Sequence, residues 1–128
     1  MLKHPSRICR NIGAKLFDGL IDIFFQGNQF LIADLASELA MVETWIDYVA
    51  ALISAGEADY GQEASIAKMR ASDLAMRMTT EAVQMHGGYG YIADYRVERL
   101  MRDAKITQIW EGTNQVHRQL IGRSFRTK

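Results

Sequence analysis

Apolar residues recur every three or four positions along nearly the whole chain, and no run alternates with a period of two. That rhythm places side chains on one face of a helix, whereas a half-buried strand needs strict alternation. Ile8, Ile12, Leu16, Leu20 and Ile23 form a first stripe, after which Gly27 marks a possible break. Leu31, Leu35, Leu39, Val42, Ile46, Val49 and Ile53 form a second, with Asp34, Glu38 and Asp47 off it. This helix is expected near 29–55, with Gly56 of "SAGE" as its stop. At about 1.5 Å per residue it is roughly 40 Å long. A third helix is expected near 62–85, its stripe made of Ala67, Ala71, Leu74, Met78, Ala82 and Met85. Small residues there allow close approach, and methionines fill irregular gaps. "DYRVERLMRDAKIT" reads as a shorter helix, and "GTNQVHRQLIGRSF" as the last, with Thr113 as its N-cap. The one proline, Pro5, sits where a first-turn proline is tolerated. The pattern predicts an all-α fold, an antiparallel four-helix bundle of long helices, as one domain over 1–128.

Several function classes are disfavoured by composition. Basic and acidic residues balance at 15 each. A general nucleic-acid binder would carry a basic excess, so none is expected as a partner. No stretch of about eighteen apolar residues appears, so no membrane span is expected. The lone Cys9 permits neither an internal disulfide nor a multi-cysteine zinc site, and a reducing compartment fits it. Helical bundles often hold di-iron centres on Glu-x-x-His pairs, but none of His4, His86 and His117 follows a Glu by three. No metal site is expected. The first 17 residues carry Lys3, Arg7, Arg10 and Lys15 and no acid. That composition loosely fits a mitochondrial presequence, or simply the basic start of the first helix. The rhythm continuing past Asp18 favours the helix. The remaining charges read as a solvated face, with Arg102-Asp103 as an ion pair near a helix end.

Two spots resist this bland reading. One is "EAVQMHGGYGY", residues 81–91, where a helical run meets Gly87, Gly88 and Gly90. A helix stop needs only one glycine. The other is "QIWEGTNQV", residues 108–116, where Glu111 stands between Trp110 and Gly112 just before a helix start. It can be an ordinary loop acid or a general base. As a base, it would feel two opposing forces. The helix N-terminus favours the charged carboxylate, and burial against Trp110 and an apolar substrate disfavours it.

Both spots match one family. "AVQMHGGYGYIADYRVERLMRDAKITQIWEGTNQVHRQLIGRSF" closely resembles the C-terminal end of acyl-CoA dehydrogenases, and "FFQGNQFLIADLASELAMVETWIDYVAALISAG" resembles the long helix before it. The resemblance covers about residues 25–126 and leaves 1–24 as a poorly matched opening helix. It implies FAD-dependent α,β-dehydrogenation of an acyl-CoA thioester. On the matching positions, Glu111 is the catalytic base, and Gly112 lies beside the thioester. Gln84, His86, Gly87 and Gly88 lie against the FAD of a neighbouring subunit, and Thr113, Asn114 and Gln115 contact FAD. Bare backbone at the glycines would let the dinucleotide approach its N–H groups. The resemblance further implies a dimer or tetramer, electron-transfer flavoprotein as a partner, and a bacterial cytoplasm or a mitochondrial matrix.

The family's chains are roughly three times longer, by an extra helical domain and a β-domain. Those domains supply most contacts to the flavin ring and the acyl-CoA, so acyl chain length is not legible here. The family's usual Arg-x-x-Phe-Gly element before Gln26 is not matched by "AKLFDGLIDIFFQ". A non-catalytic helical oligomerisation module derived from the same family is the alternative reading.

Overall fold

The computed structural model describes residues 25–126. The stripe from Ile8 to Ile23, with His4, Pro5 and Cys9, lies outside the described residues. Four α-helices and one 3₁₀ turn follow in order: α1 (Gln26–Ser54), α2 (Gly61–His86), the turn (Gly87–Tyr91), α3 (Val97–Thr107) and α4 (Asn114–Ser124). Among the described residues there is no strand, and the all-α expectation holds. No helix is long and apolar enough to cross a membrane among them.

The two long helices fall within a few residues of their expected bounds. Gly27 does not break the chain, because α1 starts at Gln26 and runs through it. Gly56 ends that helix as expected. It takes φ +76, which glycine adopts without Cβ strain. Its N–H donates to the Ile53 carbonyl and the Glu57 N–H to the Leu52 carbonyl, the paired bonds of a left-handed helix stop.

α2 is the hub. α1, α3, α4 and the 3₁₀ turn all pack on it. Trp45 Nε1 donates to the Glu63 carbonyl at 3.1 Å, and Arg77 pairs with Glu38. The partners advance in opposite chain directions, so α1 and α2 are antiparallel. Their shared core is Leu35, Leu74, Met78 and Ala82, joined by Val97 at the start of α3. Leu35 is only 1% exposed. A buried leucine of this kind stabilises by about 1.5–3 kcal/mol.

Five of the seven expected stripe positions on α1 are used, Leu31, Leu39 and Val42 being half-buried against the core. Leu35 and Val49 are buried, but Ile46 and Ile53 are exposed. A helix packed on one neighbour covers a narrower face than seven stripe positions span. On α2 the expected stripe is incomplete in the opposite sense. Ser65, Met69, Ser72 and Thr79 are buried as well, because this helix has several neighbours. The buried hydroxyls bond within the helix, Ser65 to the Gly61 carbonyl and Thr79 to the Ala75 carbonyl, each at 2.8 Å. A hydroxyl satisfied by the preceding turn can be buried at little cost. On α3, Arg102 bonds Glu98 at 2.8 Å rather than Asp103, which pairs with Arg99 at 3.6 Å. The pairing of Arg102 with Asp103 read from the sequence is therefore replaced by two (i, i+4) pairs on an exposed face.

Candidate functional site

α3 ends at Thr107, and the chain must reverse into α4 within six residues. It does so through two successive left-handed residues, Glu111 at φ +53 and Gly112 at φ +87. Gly112 adopts this freely, whereas Glu111 carries a Cβ and is strained there by about 1–2 kcal/mol. Strain of this sort persists only where the surroundings fix it. Thr113 caps α4 as expected, its Oγ1 accepting from the Val116 N–H at 3.4 Å. The Glu111 side chain is exposed, and no hydrogen bond or ion pair reaches its carboxylate among the described residues. Trp110 is exposed too. The expected burial of Glu111 against Trp110 is therefore absent among the described residues. A low-dielectric wall around the carboxylate would have to come from elsewhere.

What fixes the turn is a polar network that the charge pattern did not reveal. Lys68 Nζ, from α2, donates to the Gly112 carbonyl at 2.6 Å and to Asn114 Oδ1 at 2.8 Å. The Asn114 amide donates to Asp73 Oδ1 at 2.7 Å and to Ser72 Oγ at 2.9 Å. Asp73 also accepts from Gln108 Nε2 at 2.7 Å and from Arg118 at 2.8 Å. The carboxylate on one side and the ammonium on the other leave the Asn114 amide a single sensible orientation. Asn114 is 3% exposed, so its side chain is spent inside the chain. Lys68 and Asp73 are among the charges that the sequence reads only as a solvated face. They are instead the clasp between α2 and the loop. The available signal was the seven-residue spacing of Ser65, Ser72 and Thr79, which marks a second buried face of α2.

His117 closes the turn from below. Its Nε2 lies 3.2 Å from the Glu111 carbonyl, and its buried Nδ1 has no partner among the described residues. A Cβ added at Gly112 would lie 3.1 Å from that Nε2. Bare backbone at Gly112 is thus needed twice over, for its conformation and for the imidazole beside it.

The glycine-rich stretch is elsewhere. Lys68 to Asp73 hold the Glu111 loop, and Gln84 lies eleven or more residues further along α2. That separation is about 20 Å along the helix. The structure brings Glu111, Gly112, Thr113, Asn114 and Gln115 together and leaves Gln84, His86, Gly87 and Gly88 as a second patch. Gly87 ends α2 at φ +58 and ψ −141, which is not the usual left-handed helix stop but a backbone conformation that only glycine takes readily. Gly90 is bare for the chain's own sake, because an added Cβ would meet the Val83 carbonyl at 2.5 Å and His86 Cβ at 2.8 Å. Gly88 is different. It is exposed, and an added Cβ would touch nothing within 4 Å. His86 Nδ1 bonds the Ala82 carbonyl at 2.7 Å, which turns its other nitrogen away from the helix backbone.

The sequence profile described as "Acyl-CoA dehydrogenase, C-terminal domain" matches residues 17–125. The chain belongs to the acyl-CoA dehydrogenase family. An acyl-CoA dehydrogenase of Bacillus subtilis is 47% identical over 98 residues, which are 77% of this chain and 26% of that protein. A cyclohexane-1-carbonyl-CoA dehydrogenase of Geobacter metallireducens is 45% identical over 125 residues, 98% of this chain and 31% of that one. Among solved structures, butyryl-CoA dehydrogenase from Megasphaera elsdenii aligns with a TM-score of 0.81 at 36% identity, over 95% of this chain and 33% of that chain. A chain from the structure titled as the electron transferring flavoprotein of Acidaminococcus fermentans aligns at 0.83 and 39% identity, over 97% and 34%. The acyl-CoA dehydrogenase resemblance read from the two motifs is thereby established, and the fold is that of the family's C-terminal domain. The chain spans about a quarter to a third of the length of these relatives.

Proposed function

We propose that this chain supplies the catalytic base and part of the flavin cradle of an FAD-dependent acyl-CoA dehydrogenase. The observation that carries the reading is Glu111, whose carboxylate has no hydrogen bond or ion pair among the described residues and which is held on a strained, clasped turn at the mouth of α4. A base must be free of internal partners and fixed in place. In this role Glu111 takes the proton from the carbon next to the thioester carbonyl. The N–H groups of Glu111, Gly112 and Thr113 have no backbone partner among the described residues, and the start of α4 lies behind them. Such donors favour negative charge developing on a thioester oxygen.

FAD, when bound, would supply the acceptor for the hydride leaving the adjacent carbon. The residues present fit a dinucleotide at two places. Gly87 and Gly88 offer exposed backbone with free space at both Cβ positions, beside Gln84, which is exposed too. Thr113 and Gln115 stand at the other patch, Gln115 exposed. Asn114 is assigned a different task from the one its motif suggests, because its amide is consumed by α2. It anchors the loop, and any contact with flavin falls to its neighbours. The distance between the patches supports a cofactor shared by two subunits. Self-association is supported by exposed Phe30, Met41, Tyr48 and Ile53 on α1. Electron-transfer flavoprotein as the electron acceptor, and a bacterial cytoplasm, rest on family likeness.

The test is proton abstraction itself. In a flavin-loaded assembly with the family's remaining domains supplied, deuterium from D₂O should enter the α-carbon of an acyl-CoA. Glu111→Gln should abolish that exchange while acyl-CoA still binds. Exchange at the parent rate in the variant would remove Glu111 from the chemistry.

A further inference from the structure

Glu111 is held in a left-handed conformation it would not choose, and nothing on its own side chain holds it there among the described residues. The restraint must act through backbone. Two carbonyls of the turn are gripped. His117, six residues ahead, reaches the Glu111 carbonyl from α4. Lys68 reaches the Gly112 carbonyl from α2, 44 residues back in sequence. His117 travels with α4 and cannot tell the loop where it lies relative to the rest of the domain. Lys68 can, because α2 is the helix on which every other element packs.

We propose that Lys68 is a positioning residue for Glu111, setting where the carboxylate is presented by bracketing the turn at Gly112 and Asn114. Its two bonds fall on either side of Thr113, so the ammonium fixes both the end of the turn and the first residue of α4. The bonds are charge-assisted and short, the stronger kind. Asp73 completes the device. It accepts from the Asn114 side-chain Nδ2, which turns Oδ1 toward Lys68. Gln108 and Arg118 hold Asp73 in turn, from the other end of the loop and from the second turn of α4. Lys68 thus touches no reacting atom on this account. It acts on the geometry of the base, where a misplacement of about 1 Å costs on the order of a hundredfold in rate.

The catalytic half of this proposal rests on reading Glu111 as the base, so the test has two arms. The first needs no activity. Hydrogen exchange on this chain reads the Asn114 amide, which bonds the Gln108 carbonyl at 3.1 Å, and the His117 amide, which bonds the Thr113 carbonyl at 3.1 Å. Lys68→Met keeps the stem and removes the donors. Both amides should exchange about tenfold faster or more, with amides in the middle of α1 unchanged. Unchanged exchange at 114 and 117 overturns the proposal, whatever the protein does. The second arm uses the flavin-loaded assembly. Lys68→Met should lower kcat about tenfold to a hundredfold, with KM within about twofold and flavin content retained. An unaltered kcat beside faster loop exchange also overturns it. Lys68→Gln, which keeps one short donor group, is read the same way if the Met variant fails to fold, and should fall between it and the parent. If Glu111→Gln itself leaves turnover intact, the base reading fails, and the exchange arm alone then decides what Lys68 does to the loop.

Discussion

Gly88 and Gly90 sit two positions apart and are bare for different reasons. At Gly90 an added Cβ would lie 2.5 Å from the backbone carbonyl of Val83, which cannot step aside. Gly90→Ala should therefore destabilise by about 1–3 kcal/mol, the usual range for overpacking, as read from urea unfolding. At Gly88 nothing lies within 4 Å, and its φ is not left-handed. Gly88→Ala should leave unfolding within about 0.5 kcal/mol of the parent. In a flavin-loaded assembly the same substitution should still lower flavin retention. A stability loss at Gly88 equal to that at Gly90 would mean both glycines serve only the fold. Gly112 is a third case, with a left-handed φ and the His117 ring 3.1 Å from an added Cβ. Gly112→Ala should cost about 1–2 kcal/mol and disturb the turn that carries Glu111. The sequence showed that glycines cluster here but could not sort them. Sorting them needs the position of the Val83 carbonyl and the His117 ring, which only folding brings close.

Between elements, two of the polar clasps that join α2 to its neighbours differ in worth. Glu38–Arg77 ties α1 to α2 with side chains about 40% exposed. Exposed pairs contribute about 0–1 kcal/mol, so Glu38→Gln should barely move the melting temperature. Asn114 ties α4 to α2 while almost wholly buried. Asn114→Ala would leave Asp73, Ser72 and Lys68 each short of a partner, at about 2–3 kcal/mol in all if water reaches some of them. Differential scanning of the two variants checks the order, and a larger loss at Glu38 would invert this assignment. Helix bounds on α1 and α2 were legible because long apolar periods are hard to mimic. The burial of Ser65, Ser72 and Thr79, and the pairing of the half-buried Lys68 and Asp73 with the loop, were not. Hydrophobic pattern reports where water is excluded by apolar groups, and this face of α2 is closed by matched polar ones. The Thr113 cap and the Gly56 stop were readable since each acts on residues three or four away.

At the scale of the whole molecule, α1 presents Phe30, Met41, Ile46, Tyr48 and Ile53 to solvent. Apolar surface on this scale seeks a partner. Sedimentation at micromolar concentration should find a dimer or larger, and a strict monomer would count against a cofactor shared between subunits. The two candidate patches, about 20 Å apart along α2, belong to one chemistry only if such an assembly brings a neighbour's glycine segment to this chain's Glu111 loop. That chemistry turns on one proton. The decisive measurement is the loss of flavin absorbance on mixing a complete, flavin-loaded assembly with a panel of acyl-CoA esters. With Glu111→Gln, bleaching should slow about a hundredfold to ten-thousandfold while flavin and ligand still bind, and Glu111→Asp should fall between the variant and the parent. Bleaching at the parent rate in the Gln variant would contradict the account.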